Sequence, residues 1–490
     1  MTDKVRLGRL TTGVPGLDVL LGGGLTEFSF TLIAGAPGSG KTTLAHQIMF
    51  GLANENCRAL FFTVLGEPPL KMLRYQQQFG FFDVAKVGNC IRYVNLADDL
   101  RAGDFGGVLE RIVREVEAFS PSLVFVDSFR SVVQTARPGN QGISDLQQFV
   151  QELCARMASW QATTFLIGEY TQADVEVNPI ITVADGLLAM SQTPDENAVI
   201  RKMRVVKMRG QAHMQGNHTF RITDDGIRVY PRVLPALSED RAQGQPPDQL
   251  PKRIPTGTAG LDALMHGGLP QGHTMLVSGP TGVGKTILGT HFLQAGADRG
   301  EKGVALYFEK NVARLRNARL AALVNAGHVA IVESSSLSLT VEELLDDLNE
   351  AIDRTGATRV VIDSVSELGL YLAPEFRTDL RLTVFRTLSV LARRGISAVV
   401  TVGIEDCYNE LVFSHDELSF LTDAVLAMRY SEIEGALRTF MTVVKVRGID
   451  HCRELREYRI TDQGIEVDPD ATPFDGVLTG GGPRSRRPRN

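Results

Sequence analysis

Short apolar runs alternate along this chain with longer stretches whose apolar residues recur at helical spacing. Thr31–Ala34, Ala59–Val64, Leu123–Val126, Phe165–Ile167 and Gly186–Met190 read as buried strands in the first half. Met275–Ser278, Val304–Phe308, Val360–Ile362 and Ala398–Val402 are their counterparts in the second. Between them, Val108–Phe119 and Val341–Ala351 carry the helical period. Runs that are apolar at every position need cover on both faces, so the pattern predicts an α/β fold, a mainly parallel sheet flanked by helices.

The pattern occurs twice. Thr12-Gly13, Gly16-Leu17-Asp18 and Gly23-Gly24-Leu25 return as Thr256-Gly257, Gly260-Leu261-Asp262 and Gly267-Gly268-Leu269. Laid without a gap on Ile254–Leu288, the segment Leu10–Leu44 shows 16 identities in 35 positions, where average usage gives roughly two. Later, Lys207-Met208-Arg209-Gly210 matches Lys445-Val446-Arg447-Gly448, and Phe220–Asp224 matches Tyr458–Asp462. The expected organisation is a first α/β domain over 1–237, a polar, proline-bearing linker over 238–253 and a second domain over 254–469. The Gly/Pro/Arg composition of 470–490 predicts a solvated tail without structure.

Composition narrows the class. Of 490 residues, 43% are hydrophobic and 22% charged, which suits folded cores and excludes a disordered or fibrous chain. A formal net charge of −6 argues against a chain held to nucleic acid by general charge. The five cysteines include no Cys-x-x-Cys pair, so neither a disulfide framework nor a zinc site is expected, and a reducing cytoplasmic compartment fits. No run approaches the ~18 apolar residues of a membrane span.

The chemistry sits where the first strand of each half ends. Gly35-Ala36-Pro37-Gly38-Ser39-Gly40-Lys41-Thr42 and Gly279-Pro280-Thr281-Gly282-Val283-Gly284-Lys285-Thr286 both satisfy G-x-x-x-x-G-K-[ST] between a strand and a helix. Glycines there let successive N–H groups turn around phosphate oxygens at a helix N-terminus. Lys41 and Lys285 are expected to reach the β/γ-phosphates, with Thr42 and Thr286 on Mg²⁺. The nucleotide-binding set extends to Thr43 and Ile287, the next helical residues. Asp127 and Asp363 close apolar strands in both halves and are the expected carboxylates for the metal's water shell.

A base for the attacking water is expected in one half only. Glu309 follows the strand Val304–Phe308, whereas Leu65 stands at the matching place and cannot accept a proton. The nearest carboxylate, Glu67, precedes Pro68-Pro69 and reads as a loop residue. The second half is therefore expected to hydrolyse ATP, and the first to bind it with slow turnover or none.

Duplicated halves opening with T-G-x-x-G-L-D-x-L-x-x-G-G-L and closing with K-x-R-G plus a trailing histidine resemble the KaiC family of tandem RecA-like P-loop ATPases, over about residues 6–469. The resemblance implies a homohexamer of two stacked rings with ATP at subunit boundaries. It implies that Lys207, Arg209 and His213 in one ring, and Lys445, Arg447 and His451 in the other, reach a neighbour's nucleotide. Independently, cations on alternate positions of one strand share a face, and an arginine there can stabilise charge developing on the γ-phosphate; Arg447 is thus a candidate catalytic residue beside Glu309 and Lys285.

Two departures matter. Relatives carry paired glutamates at the catalytic strand end; here the first half has Leu65-Gly66 and the second Glu309-Lys310. The family also implies autokinase activity on an adjacent Ser-Thr pair. At that place stand Ser419-Phe420, with Ser414 at a further phosphosite, so one hydroxyl of the pair is missing. Ser419 reads equally as the start of a strand or helix. Three readings remain: an ATP-hydrolysing ring, with serine autokinase activity, whose nucleotide state governs regulatory protein partners; a RecA-like DNA-handling ATPase, disfavoured by charge; and a nucleotide-gated scaffold with little turnover.

Overall fold

A computed structural model describes residues 8–63, 69–101, 105–127, 140–170, 183–195, 198–232, 252–308, 317–333, 340–371, 380–404, 418–471, 474–475 and 484–485. The chain divides into two compact units, Met1–Val233 and Leu234–Asn490.

The first unit holds nine sheet strands: β1 (Phe30–Gly35), β2 (Ala59–Thr63), β3 (Ile91–Asn95), β4 (Leu123–Asp127), β5 (Thr163–Glu169), β6 (Gly186–Asp195), β7 (Ala198–Met208), β8 (His218–Thr223) and β9 (Gly226–Tyr230). Their order is β9-β8-β7-β6-β1-β5-β4-β2-β3. In the second unit, β10 (Thr274–Gly279), β11 (Gly303–Tyr307), β12 (Val329–Glu333), β13 (Arg359–Asp363), β14 (Ser397–Gly403), β15 (Ala424–Ile433), β16 (Ala436–Val446), β17 (Arg456–Thr461) and β18 (Gly464–Val467) repeat that order strand for strand.

The six strands from β3 to β6 are parallel, and β7, β8 and β9 extend the sheet antiparallel. The parallel part answers the continuous apolar runs. Alternate residues feed opposite faces: Leu60, Phe62, Val124, Val126 and Leu166 pack in one buried cluster, and Phe61, Leu123, Phe125, Phe165 and Ile167 in another. Helix α1 (Lys41–Leu52) lies in the second cluster, and α2 (Phe105–Phe119) with α3 (Asn140–Ser159) in the first. The second unit has the same two clusters, around α4 (Lys285–Ala297) on one side and α5 (Val341–Thr355) with α7 (Leu380–Arg393) on the other; the short α6 (Val365–Tyr371) follows β13.

The T-G-x-x-G-L-D repeat is a hydrogen-bonded turn. Asp18 Oδ1 accepts from Thr12 N, and Asp262 Oδ1 from Thr256 N, each at 2.8 Å. At the other end of the chain, where composition predicts no structure, Phe474–Asp475 pair antiparallel with Arg484–Ser485. Among the described residues no helix is long and apolar enough to cross a membrane.

Candidate functional site

Each phosphate loop leaves the C-terminal end of the central strand, β1 or β10, and feeds the first turn of α1 or α4. Gly40 and Gly284 occupy the residue before the helix with φ of 96° and 100°, a left-handed conformation that L side chains rarely adopt. A Cβ on Gly40 would also lie 2.8 Å from Ile222 Cδ1. Gly35 and Gly279 end their strands, and Gly38 and Gly282 also have positive φ. Ser39 and Val283 are fully buried, so a polar role for Val283 in the cradle runs through its backbone. Thr43 is half-buried, and Ile287 packs against the core.

Lys41 Nζ donates to Ala36 O at 2.8 Å; Lys285 Nζ donates to Gly279 O and Pro280 O at 2.7 and 2.8 Å. Burial pulls both ammonium pKa values down. Glu169 and Asp127 oppose this in the first unit, Asp363 and Glu367 in the second.

The hydroxyl of Thr42 donates to Asp127 Oδ2 at 2.7 Å, and that of Thr286 to Asp363 Oδ2 at 2.6 Å. The structure therefore brings the two expected metal residues together in both units. A hydroxyl and a carboxylate side by side, next to a phosphate cradle, are the hard-oxygen set that suits Mg²⁺ completed by water and phosphate. Asp363 has a second partner: its Oδ1 accepts from Thr401. The residue of β5 in the same register is Ile167, which offers no hydroxyl.

In the first unit these groups line a cavity of about 330 Å³ with Gly38, Thr63, Met72 and Glu169. The sequence reading missed Glu169, which ends β5 one glycine beyond the apolar run Phe165–Ile167, whereas Asp127 follows its own run directly. It also missed Glu367 and Thr401, whose proximity to the cradle depends on how α6 and β14 are placed.

Glu309, Lys310, Leu65, Glu67 and Ser414 lie outside the described residues; β11 ends at Tyr307. Ser419 sits half-buried in a single 3₁₀ turn, Leu418–Phe420, and Phe420 is exposed.

The closing motif joins the sheet through a repeated bulge. Leu187 pairs with Lys207 but Leu188 with Val205, leaving Val206 as the extra residue. Val425 and Leu426 pair with Lys445 and Val443 in the same way, leaving Val444. Such a bulge re-aims the side chains beyond it. Arg209 and Arg447 fall one residue beyond Met208 and Val446, the ends of β7 and β16, so only the lysine of each pair is a strand residue. Each arginine N–H donates to the carbonyl of Asp185 or Asp423 at 2.8 Å. Their guanidinium groups remain about half exposed, with Arg209 3.2 Å from Asp185 and Arg447 3.7 Å from Asp423. Burial, then the neighbouring arginine, lowers the pKa of both Lys207 and Lys445.

Lys445 Nζ donates to Ser419 O at 2.6 Å, and Arg447 to Phe420 O at 2.7 Å. The trailing histidines are not presented in the same manner. His213 is half-buried, and His451 is only 8% exposed, with both ring nitrogens lacking a hydrogen-bond partner among the described residues.

Known proteins match this sequence over nearly the whole chain. A family model described as "ATPase: KaiC" matches twice, at residues 10–233 and 254–472. Similar curated proteins include the circadian clock oscillator protein KaiC of Prochlorococcus marinus, 27% identical with 97% of this chain and 94% of the relative covered. The KaiC of a Picosynechococcus species is 25% identical, covering 96% and 92%. The KaiC 1 of a Synechocystis species is also 25% identical, covering 96% and 91%. With the same fold written twice, two phosphate loops and a family match to each half, the chain belongs to the KaiC family of ATPases.

Proposed function

We propose that this protein is an ATP-hydrolysing ring whose second unit cleaves the γ-phosphate with Glu309 as base, and whose nucleotide state is read by protein partners. The observation carrying the reading is the hydroxyl–carboxylate pair beneath a phosphate loop, repeated at 2.7 and 2.6 Å. Lys285 releases its loop carbonyls to hold the β/γ-phosphates, and Thr286 and Asp363 hold Mg²⁺ and its water shell. The metal supplies charge neutralisation between the phosphates. Glu309 takes the proton of the attacking water. Arg447, half exposed in the turn beyond β16, stabilises γ-phosphate charge across a boundary between copies in a homohexamer, with Lys445 beside it; Lys207, Arg209 and His213 play that part for the first unit.

Glu309→Gln is expected to remove most steady-state ATP turnover, by about 10²-fold or more, while mass measurement shows assembly unchanged. Full retained activity refutes the assignment.

One observation favours a second activity. Ser419 hangs by its carbonyl from Lys445, one of the cations assigned to the neighbour's nucleotide, so its hydroxyl is a candidate acceptor for that γ-phosphate. Labelled ATP should then modify Ser419, as read by mass spectrometry. Absence of phosphate there removes the autokinase reading. A two-site phosphorylation cycle is not proposed, because Phe420 has no hydroxyl.

A further inference from the structure

The first unit lacks a base at Leu65, yet its phosphate cavity does not lack a second carboxylate. β5 lies between the phosphate-loop strand β1 and the metal-carboxylate strand β4. Its last residue, Glu169, is in register with Gly35, where the loop begins. Glu169 lines the same cavity as Lys41, Thr42 and Asp127. In the second unit, the residue in register with Gly279 is Gly403, which has no side chain. Among the described residues, the carboxylate that acts on Lys285 besides Asp363 comes instead from the helix α6, as Glu367. The two units thus bring acid groups to their cradles from different strands and helices.

We infer that Glu169 is the catalytic base of the first nucleotide site, replacing from the tip of β5 the carboxylate that Leu65 cannot provide. The step is hydrolysis. A water oxygen attacks the γ-phosphorus and a Glu169 oxygen takes the water's proton. The bond to the β,γ-bridging oxygen breaks, its electrons leave on ADP, and the proton passes to phosphate or solvent. Thr42 and Asp127 are committed to the metal, and Lys41 to the phosphates. Glu169 is the remaining acidic side chain among the described residues lining that cavity.

This inference rests on the ATPase reading but not on Glu309, and the test separates them. In full-length Glu309→Gln protein, slow turnover is expected to persist. Adding Glu169→Gln should lower that residue of activity by about 10²-fold, while binding of a fluorescent ATP analogue at the first site changes less than about twofold. Glu169→Asp should fall between the two. Turnover unchanged by Glu169→Gln overturns the inference. So does nucleotide affinity that falls in step with the rate, which makes Glu169 a binding residue only. So does a Glu309→Gln protein that fills its first site and never hydrolyses. If Glu309→Gln itself leaves turnover intact, the second-site assignment fails instead. Glu169 is then measured in a Lys285→Ala chain, with the same outcomes.

Discussion

The two phosphate cradles share their backbone and differ in what surrounds it. In the second, Asp363 is clamped by both Thr286 and Thr401; in the first, Asp127 receives Thr42, and Ile167 stands where Thr401 would. In the first, Glu169 lines the cavity; in the second, Gly403 holds that place. The helices differ too. α5 carries Glu342, buried and paired with Arg386 of α7 at 2.7 Å, whereas Gly106 occupies the matching position of α2. His46 is fully buried on α1, and Thr290 stands at the matching turn of α4. Duplication has kept the backbone of the phosphate loops and let the side chains around them drift apart.

That contrast can be broken experimentally. Glu342→Ala leaves the Arg386 guanidinium buried without its counter-charge, which costs about 3–5 kcal/mol. Calorimetry should show the second unit's transition falling by about ten degrees, with the first unit's transition in place. Equal shifts in both would show that the units do not unfold independently.

Thr401→Val removes the second clamp on Asp363. Second-site turnover should drop about 10–100-fold, and the Mg²⁺ concentration for half-maximal rate should rise. A rate loss that excess Mg²⁺ leaves untouched would separate Thr401 from the metal.

The smallest effect concerns acid stability. Burial pushes the His46 pKa down to about 4, against only a partly offsetting hydrogen bond from Nδ1–H to Thr42 O. The unfolded chain therefore binds this proton first. Stability is complete above about pH 6.5, declines as pH falls toward 4, and is flat below. At pH 5 the loss is about 2 kcal/mol. Urea unfolding of the first unit at pH 7 and pH 5 should show it, and His46→Thr should flatten the difference.

Much of this was legible in the residues. The parallel strands are runs of apolar side chains buried on both faces, and such runs have few alternatives. The glycine-lysine loops announce themselves because a backbone that must wrap phosphate tolerates little else. Thr42 with Asp127, and Thr286 with Asp363, were expected together because each aspartate ends a buried strand. Glu169 ends one as well, but nothing in the local sequence says that β5 inserts between β1 and β4. That order is a property of the sheet, and it decides which strand ends meet the cavity. The antiparallel β7–β9 extension was equally hidden: its strands mix charged and apolar residues, β7 without a strict period of two, and only pairing with β6 gives them a side of the sheet. Likewise Arg209 and Arg447 looked like strand residues until the ends of β7 and β16 placed them in the turn beyond.

The extra residue ahead of each closing lysine has a consequence for how these strands evolve. Side chains along a strand alternate up and down, so one inserted residue acts as a half-period phase shift. Upstream of Val206 or Val444 the hairpin keeps time with its partner strand; downstream, Lys207 or Lys445 is set to the opposite beat. Under strict alternation Lys445 would share the face of Val443; with the extra residue it shares the face of its partner Val425, and from there it reaches the Ser419 carbonyl. The direction of the cation is therefore encoded by a count of residues: were Val444 paired with Val425, Lys445 would fall opposite Ala424, on the other face of the sheet.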